Sequence, residues 1–439
     1  MKPNPTQTAV TLLAIATLTI SLHALSAEKK NDTSIKTVPI ANYTAQDGVR
    51  DSLRYALCKV TNKNLNFWQR EYPVDAGFRD RADFLKIQVL PERPKLICKL
   101  WPREKAAPLV FILPGLGGHY HSGGPNALAQ TFFNAGYSVA LICSSMNWEF
   151  YLAASRSKAP GLPSTDAIDV REAIRKTIAH IKKNYPGKVS SVYLAGFSLG
   201  ALHTILIAEL EAKSKNKPTF DGYLAVHPPI DAFKAMKKLD ELMAARKQWP
   251  ADKTLINLEK GVAAYLALMT RGLSADGKPD VSKDQASVII ALAYRMSLRE
   301  LLVAVKKSQN DMGLIKAEYG FTKNDLYKEV NAISFNQYAE TFVVNAAAER
   351  LGKRFSISTL GEISNLKRMD EFLASSKAKN VRMVTAADDF LLTPGDLEWI
   401  AKTFGKRAVI FEHGGHMGEL YTPEAKNALV ESLKATGQP

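Results

Sequence analysis

The sequence predicts an α/β protein: a doubly wound, mostly parallel sheet with a large helical cap inserted before its last two strands. Three observations carry that prediction. From residue 108 onward, short apolar runs alternate with amphipathic helical stretches, as buried strands covered by helices on both faces require. One apolar run ends in Gly196-Phe197-Ser198-Leu199-Gly200 and passes directly into a helical pattern, a strand-to-helix turn. Residues 231–379 contain several helical stretches and no convincing strand, so they interrupt the alternation.

The N-terminus reads as a secretory leader over residues 1–27. Lys2 precedes an apolar segment, Ala9 to Ile20, and small residues follow at Ala24, Ser26 and Ala27, with cleavage expected after Ser26 or Ala27. The apolar segment is short against the ~20 residues that a membrane span needs, so export as a periplasmic or secreted protein is the expectation. Residues 28–80 form an arm, of which 28–50 are polar and irregular enough to suggest a tether.

The sheet core is assigned to 81–230 and 380–439. Asp83–Leu90 and Lys95–Trp101, separated by Pro-Glu-Arg-Pro, read as a hairpin. Further strands are expected at Pro108–Leu113, Ser138–Cys143, Ser191–Ala195, Gly222–Val226, Val381–Thr385 and Ala408–Phe411. Helical patterns lie between them at Ala127–Asn134 and Ser164–Asn184. The second opens on Ser164-Thr165-Asp166 as a cap and repeats apolar residues through Ala167, Val170, Ile174, Ile178 and Ile181. Within the cap, 231–379, helices are expected at Ala232–Arg246, Leu258–Met269, Gln285–Lys307 and Ser334–Leu351.

Composition narrows the function. A 439-residue chain with 46% hydrophobic and 23% charged residues can build a sizeable core. The net charge of +15 is scattered, with short clusters such as Lys213-Ser214-Lys215-Asn216-Lys217 and no aromatic-interleaved basic motif, which argues against nucleic-acid recognition. A solvated basic surface accounts for it, with peripheral contact to an anionic membrane surface as the functional alternative. Of the three cysteines, Cys58 and Cys98 are placed to bridge in an oxidising compartment, and Cys143 ends an apolar strand; three buried free thiols are the alternative.

Ser198 lies at the strand-to-helix turn, where a bend between two glycines can expose a hydroxyl. A serine hydroxyl is a poor nucleophile at neutral pH and needs a base, an orienting carboxylate and oxyanion donors. His416, in Gly414-Gly415-His416-Met417-Gly418 after the last strand, is the expected base, with His413 its near rival. His203 reads as packed, His180 as helix surface, His227 as support for the loop after a strand, and His119 and His121 as pocket-lining residues. The carboxylate is expected at Asp389, with Asp388 as the alternative that could instead hold the turn, and Asp231 a distant third. Leu113-Pro114-Gly115-Leu116-Gly117-Gly118 can aim backbone amides at an oxyanion, through Leu116 or alternatively Gly117, with Leu199 supplying the second donor. That glycine-rich turn matches neither a phosphate loop nor a dinucleotide fingerprint, and no metal or organic cofactor is called for.

These four loops resemble the signature loops of the α/β-hydrolase superfamily, and the segments between the first pair are similar to bacterial esterase and lipase-like members. The resemblance covers roughly residues 80–230 and 380–435. It implies the superfamily's fold and a Ser-Asp-His triad in that chain order, with Pro114 where the superfamily usually has histidine. The expected function is a serine hydrolase acting on small or lipid-like acyl esters. A peptidase, thioesterase or acyltransferase would use the same triad, and a non-catalytic binding protein could stand on the same scaffold.

Overall fold

The computed structural model describes residues 35–60, 76–215, 219–309, 313–318, 320 and 324–437; the leader expected at 1–27 lies outside them. The strands in chain order are β1 (Asp83–Ile87), β2 (Leu96–Trp101), β3 (Ala107–Leu113), β4 (Ser138–Leu141), β5 (Val189–Phe197), β6 (Gly222–Val226), β7 (Val381–Ala386) and β8 (Ala408–Phe411). They form one eight-stranded sheet in the order β1-β2-β4-β3-β5-β6-β7-β8. β2 is antiparallel to both β1 and β4, and every other pairing is parallel. The central strand β3 is apolar along its length because helices cover both faces: its Leu109, Val110, Phe111 and Ile112 have no exposed surface.

Helices that bear on the site are α1 (Gly48–Ser52), α2 (Gly123–Asn134), α3 (Pro163–Asn184), α4 (Leu199–Lys213), α5 (Ala232–Ala244), α6 (Thr254–Arg271) and α7 (Lys283–Ser308). In α3 the capping differs from expectation. Pro163 occupies the first turn after Leu162, so Ser164, Thr165 and Asp166 lie inside the helix; Pro is pre-set for that position and has no N–H to satisfy. Asp166 turns back to accept the Gly161 N–H at 2.7 Å. Between β6 and β7 the described chain is helical, and α7 opens on a capping box of Ser282 and Gln285. No helix among the described residues is long and apolar enough to cross a membrane.

The arm is more closely bound than its polar composition suggests. Val38 pairs with the edge strand β8, its N–H reaching Ile410 O at 2.7 Å while its C=O accepts from Glu412 N at 3.1 Å. Backbone pairing of this kind needs no apolar side chain, so hydrophobic periodicity does not register it. Asp47 then caps α1 by accepting from the Val49 and Arg50 amides. The expected Cys58–Cys98 bridge is absent and all three cysteines are free and buried: Cys58 Sγ lies against Leu420 O, whereas Cys98 sits in β2 opposite Leu85. Burial pushes the thiols of Cys58 and Cys98 up to about 12.

Candidate active site

The strand order and crossovers make this the α/β-hydrolase fold, in which reactive groups gather at the carboxyl ends of the parallel strands. Ser198 is the hinge between β5 and α4 and sits at φ 54°, ψ −120°, a conformation that costs a non-glycine residue about 1–3 kcal/mol. Its neighbours explain how so sharp a bend closes. A Cβ on Gly196 would lie 2.0 Å from Gly200 O, and one on Gly200 would lie 2.2 Å from Leu113 O, so helix, β5 and β3 meet where only glycine fits.

His416 reaches Ser198 from the loop after β8. Nδ1–H donates to Asp389 Oδ2 at 2.8 Å, which leaves Nε2 of a neutral ring as the acceptor for the Ser198 hydroxyl at 2.9 Å. The loop is glycine-dependent: Gly415 has φ 59°, and a Cβ there would strike Gly48 O at 1.9 Å. The His416 N–H donates to Ser52 Oγ at 2.7 Å, so α1 braces the imidazole's own backbone. Serine, histidine and aspartate are each no more than 5% exposed.

Asp389 is fully hydrogen-bonded. Oδ1 accepts the Leu391 N–H at 2.9 Å, and Oδ2 accepts from both His416 and a second imidazole, His227 Nδ1, each at 2.8 Å. Burial alone would raise its pKa, but the two imidazole hydrogen bonds and the charge of His227 outweigh it and hold the carboxyl below its usual range. Asp388 does different work: its Oδ1 accepts the Gly415 N–H at 2.8 Å and thereby ties down the histidine loop. Asp231 caps α5 through the Phe233 and Lys234 amides. His413 is half exposed, 3.8 Å from Asp388, and His203 is packed inside α4, where burial pushes it down to about 3.

His227 and Glu419 join the site without having been singled out as site residues. His227 has no exposed surface and lies between two carboxylates, with Nε2 2.5 Å from Glu419 Oε1. With both carboxylates ionised, both ring nitrogens donate and the ring is an imidazolium. Burial disfavours that charge, but Glu419 and the bonds to both acids raise its pKa to about 10. The sequence signal was faint: a histidine directly after the apolar run of β6 and before Pro228-Pro229. Glu419 lies three residues past His416 with no motif to mark it.

At the other side of Ser198, residues 115–118 make a tight turn in which Gly118 N–H donates to Gly115 O at 3.0 Å and Gly117 has φ 70°. This turn presses on the serine, since a Cβ on Gly115 would lie 2.9 Å from Ser198 Cβ. Leu199 is the first residue of α4, so its amide is one of the orphan donors at a helix start. Leu116, Leu199 and Ser198 line one small cavity together.

Among the described residues, two clusters contain metal-ligand side-chain types. His227, Asp389 and His416 are already joined by N–H donation to the carboxylate. In the second, His119 Nδ1 accepts the His121 N–H at 3.1 Å, so a neutral ring carries its proton on Nε2 and donates it to Glu149 at 3.0 Å, beside the buried Cys143. Neither arrangement presents a free ligand set. His121 stacks on His119, and neither of these expected pocket-lining histidines lines the cavities beside Ser198 and His416.

No family model and no curated protein matches the chain. Similar solved structures include an esterase of Pyrococcus furiosus, at 12% identity and TM-score 0.42, covering 85% of this chain and 97% of that one. An α/β hydrolase from a Penicillium species, at 15% identity and TM-score 0.40, covers 81% of this chain and 97% of its own. Est1E from Butyrivibrio proteoclasticus, at 13% identity and TM-score 0.37, covers 80% and 99%.

Proposed function

We propose that the protein is a serine hydrolase that cleaves carboxylic esters through an acyl-enzyme. The observation that carries this reading is the continuous relay Ser198 Oγ–H to His416 Nε2, and His416 Nδ1–H to Asp389, buried at the strand ends. In the proposed cycle Ser198 Oγ attacks the acyl carbon while His416 takes its proton, and Asp389 fixes the tautomer and stabilises the imidazolium. The Leu116 and Leu199 amides hold the oxyanion. His416 then protonates the leaving group, and a water activated by the same imidazole releases the acid.

A fluorophosphonate probe tests the nucleophile. Labelling of Ser198 in the folded protein is expected, lost in Ser198→Ala together with on the order of 10⁴-fold or more of the esterase rate. Native protein that resists the probe would leave a binding protein on a hydrolase scaffold. Export is part of the same proposal, supported by the leader pattern of residues 1–27. An N-terminus at Ala27 or Glu28 in protein recovered from outside the cytoplasm is the expected result.

A further inference from the structure

Two cavities of very different size adjoin the candidate site, one lined by His416 and the other by Ser198. The larger, ≈ 290 Å³, is lined by His416, the Gly115–Gly118 turn, Ser297 and three tyrosines, Tyr55, Tyr265 and Tyr294. The smaller, ≈ 40 Å³, is lined by Ser198 and Leu199 and closed by Met146, Met236, Leu239 and Leu391. Leu116 and Tyr294 line both and form the partition between them.

The chemistry assigns a role to each chamber. The imidazole that takes the serine proton must deliver it to the leaving-group oxygen, so the leaving group occupies the side that His416 faces. The acyl group then lies on the oxyanion side, in the small chamber. We propose that the substrate is an ester of a short acyl chain, two to four carbons, with a bulky uncharged alcohol. This rests on the serine-hydrolase reading above.

The limit on the acyl group comes from volume and lining. A cavity of ≈ 40 Å³ holds about three water-sized groups at roughly 10–15 Å³ each, and its walls are almost wholly hydrocarbon and thioether. The limit on the alcohol comes from charge. Although the chain carries +15, no lysine, arginine, aspartate or glutamate among the described residues lines the larger chamber, so none of them compensates a charged leaving group there. Burial raises the phenols of Tyr55, Tyr265 and Tyr294, which keeps them protonated as neutral hydrogen-bonding groups. In the reaction the Ser198 Oγ–acyl bond forms as the acyl–alkoxy bond breaks. The serine proton passes through His416 to the departing alkoxide, and water releases the short acid in the second half.

The test is a p-nitrophenyl ester series from acetyl to decanoyl, run on the native protein and two variants. With native protein, kcat/KM should peak between acetyl and butyryl and fall at least about ten-fold by octanoyl, the scale of discrimination for methylenes that a pocket cannot house. Met236→Ala, which widens the small chamber, should move the optimum at least two carbons longer, and Met236→Phe should restrict turnover towards acetyl. Tyr265→Ala, in the other chamber, should change the preference among acetate esters of different alcohols while leaving the acyl-length profile in place. An optimum at octanoyl or beyond overturns the assignment, as does an acyl profile that moves with Tyr265 but with neither Met236 variant. Loss of turnover across every ester, with no probe labelling, overturns the hydrolase reading and this assignment with it.

Discussion

The buried imidazolium at His227 predicts a specific pH dependence of stability. Its folded pKa, about 10, lies above the ordinary histidine value of 6.5, so the native state holds a proton that the unfolded state has released. The stabilisation is therefore complete below pH 6.5 and is lost as pH rises towards 10. Within that window one extra proton on the native state makes the unfolding free energy fall by about 1.4 kcal/mol per pH unit. Between pH 7 and 8.5 the loss amounts to about 2 kcal/mol. Asp389 is ionised in both states across this range and adds no slope, and Cys58 and Cys98 begin to contribute only above their ordinary value of 9. The reference should be the double variant His227→Gln/Glu419→Gln, because removing histidine alone would leave a buried carboxylate able to take up the proton instead. Urea unfolding of both proteins at fixed ionic strength gives the difference curve. A difference that stays level from pH 7 to 8.5 would refute the imidazolium and leave His227 a neutral hydrogen-bonding residue.

Three further outcomes follow from the geometry. Asp389→Asn should cost on the order of 10⁴-fold in kcat by upsetting the tautomer, whereas Asp388→Asn keeps an acceptor for the Gly415 amide and should cost less than about ten-fold; steady-state kinetics on one ester decides. Ser52→Ala strips the acceptor from the buried His416 amide and should lower stability by about 1–3 kcal/mol while slowing turnover, read from thermal melts beside kcat. Thiol titration without reductant should find all three cysteines slow to react in native protein and all three available in denaturant.

The sheet was legible because its signals are local. The eight expected strands of the core coincide with the observed ones to within a few residues, since each is an apolar run closed by turn residues. Gly196 and Gly200 flagged Ser198 for the same reason: the requirement for glycine is written into five consecutive positions. What the sequence could not display was contact between distant segments. Ser52 meets His416 across a separation of 364 residues, and His227 meets Glu419 across 192. Neither pair has a spacing rule, and the polar arm around Gly48 carries no periodicity to reveal that the Gly415 loop is pressed against it. The cysteines show the same limit from the other side, because proximity in sequence to the N-terminal region said nothing of which faces Cys58 and Cys98 present.

The distribution of strain explains why so many distant partners converge here. Of the five non-glycine residues with positive φ among the described residues, three, Ser198, His227 and Met417, belong to the site or adjoin it. At about 1–3 kcal/mol each, such conformations persist only where the surroundings over-determine them. Each has its own restraint. Ser198 is held by its N–H to Val226 O at 2.9 Å and by the close approach of Gly200 to β3. His227 is held by its N–H to Val384 O at 2.7 Å and by two buried carboxylates. The turn at Met417 is bounded by the bond from Gly418 N–H to Gly414 O at 2.9 Å, while Gly418 packs so closely on α1 that a Cβ would lie 2.0 Å from Asp51 O. A base held this way loses little freedom when it accepts the serine proton, which is the condition under which positioning lowers a barrier. In the proposed cycle the arm and Glu419 would therefore act on chemistry through the rigidity of the His416 loop, although neither touches the reacting atoms.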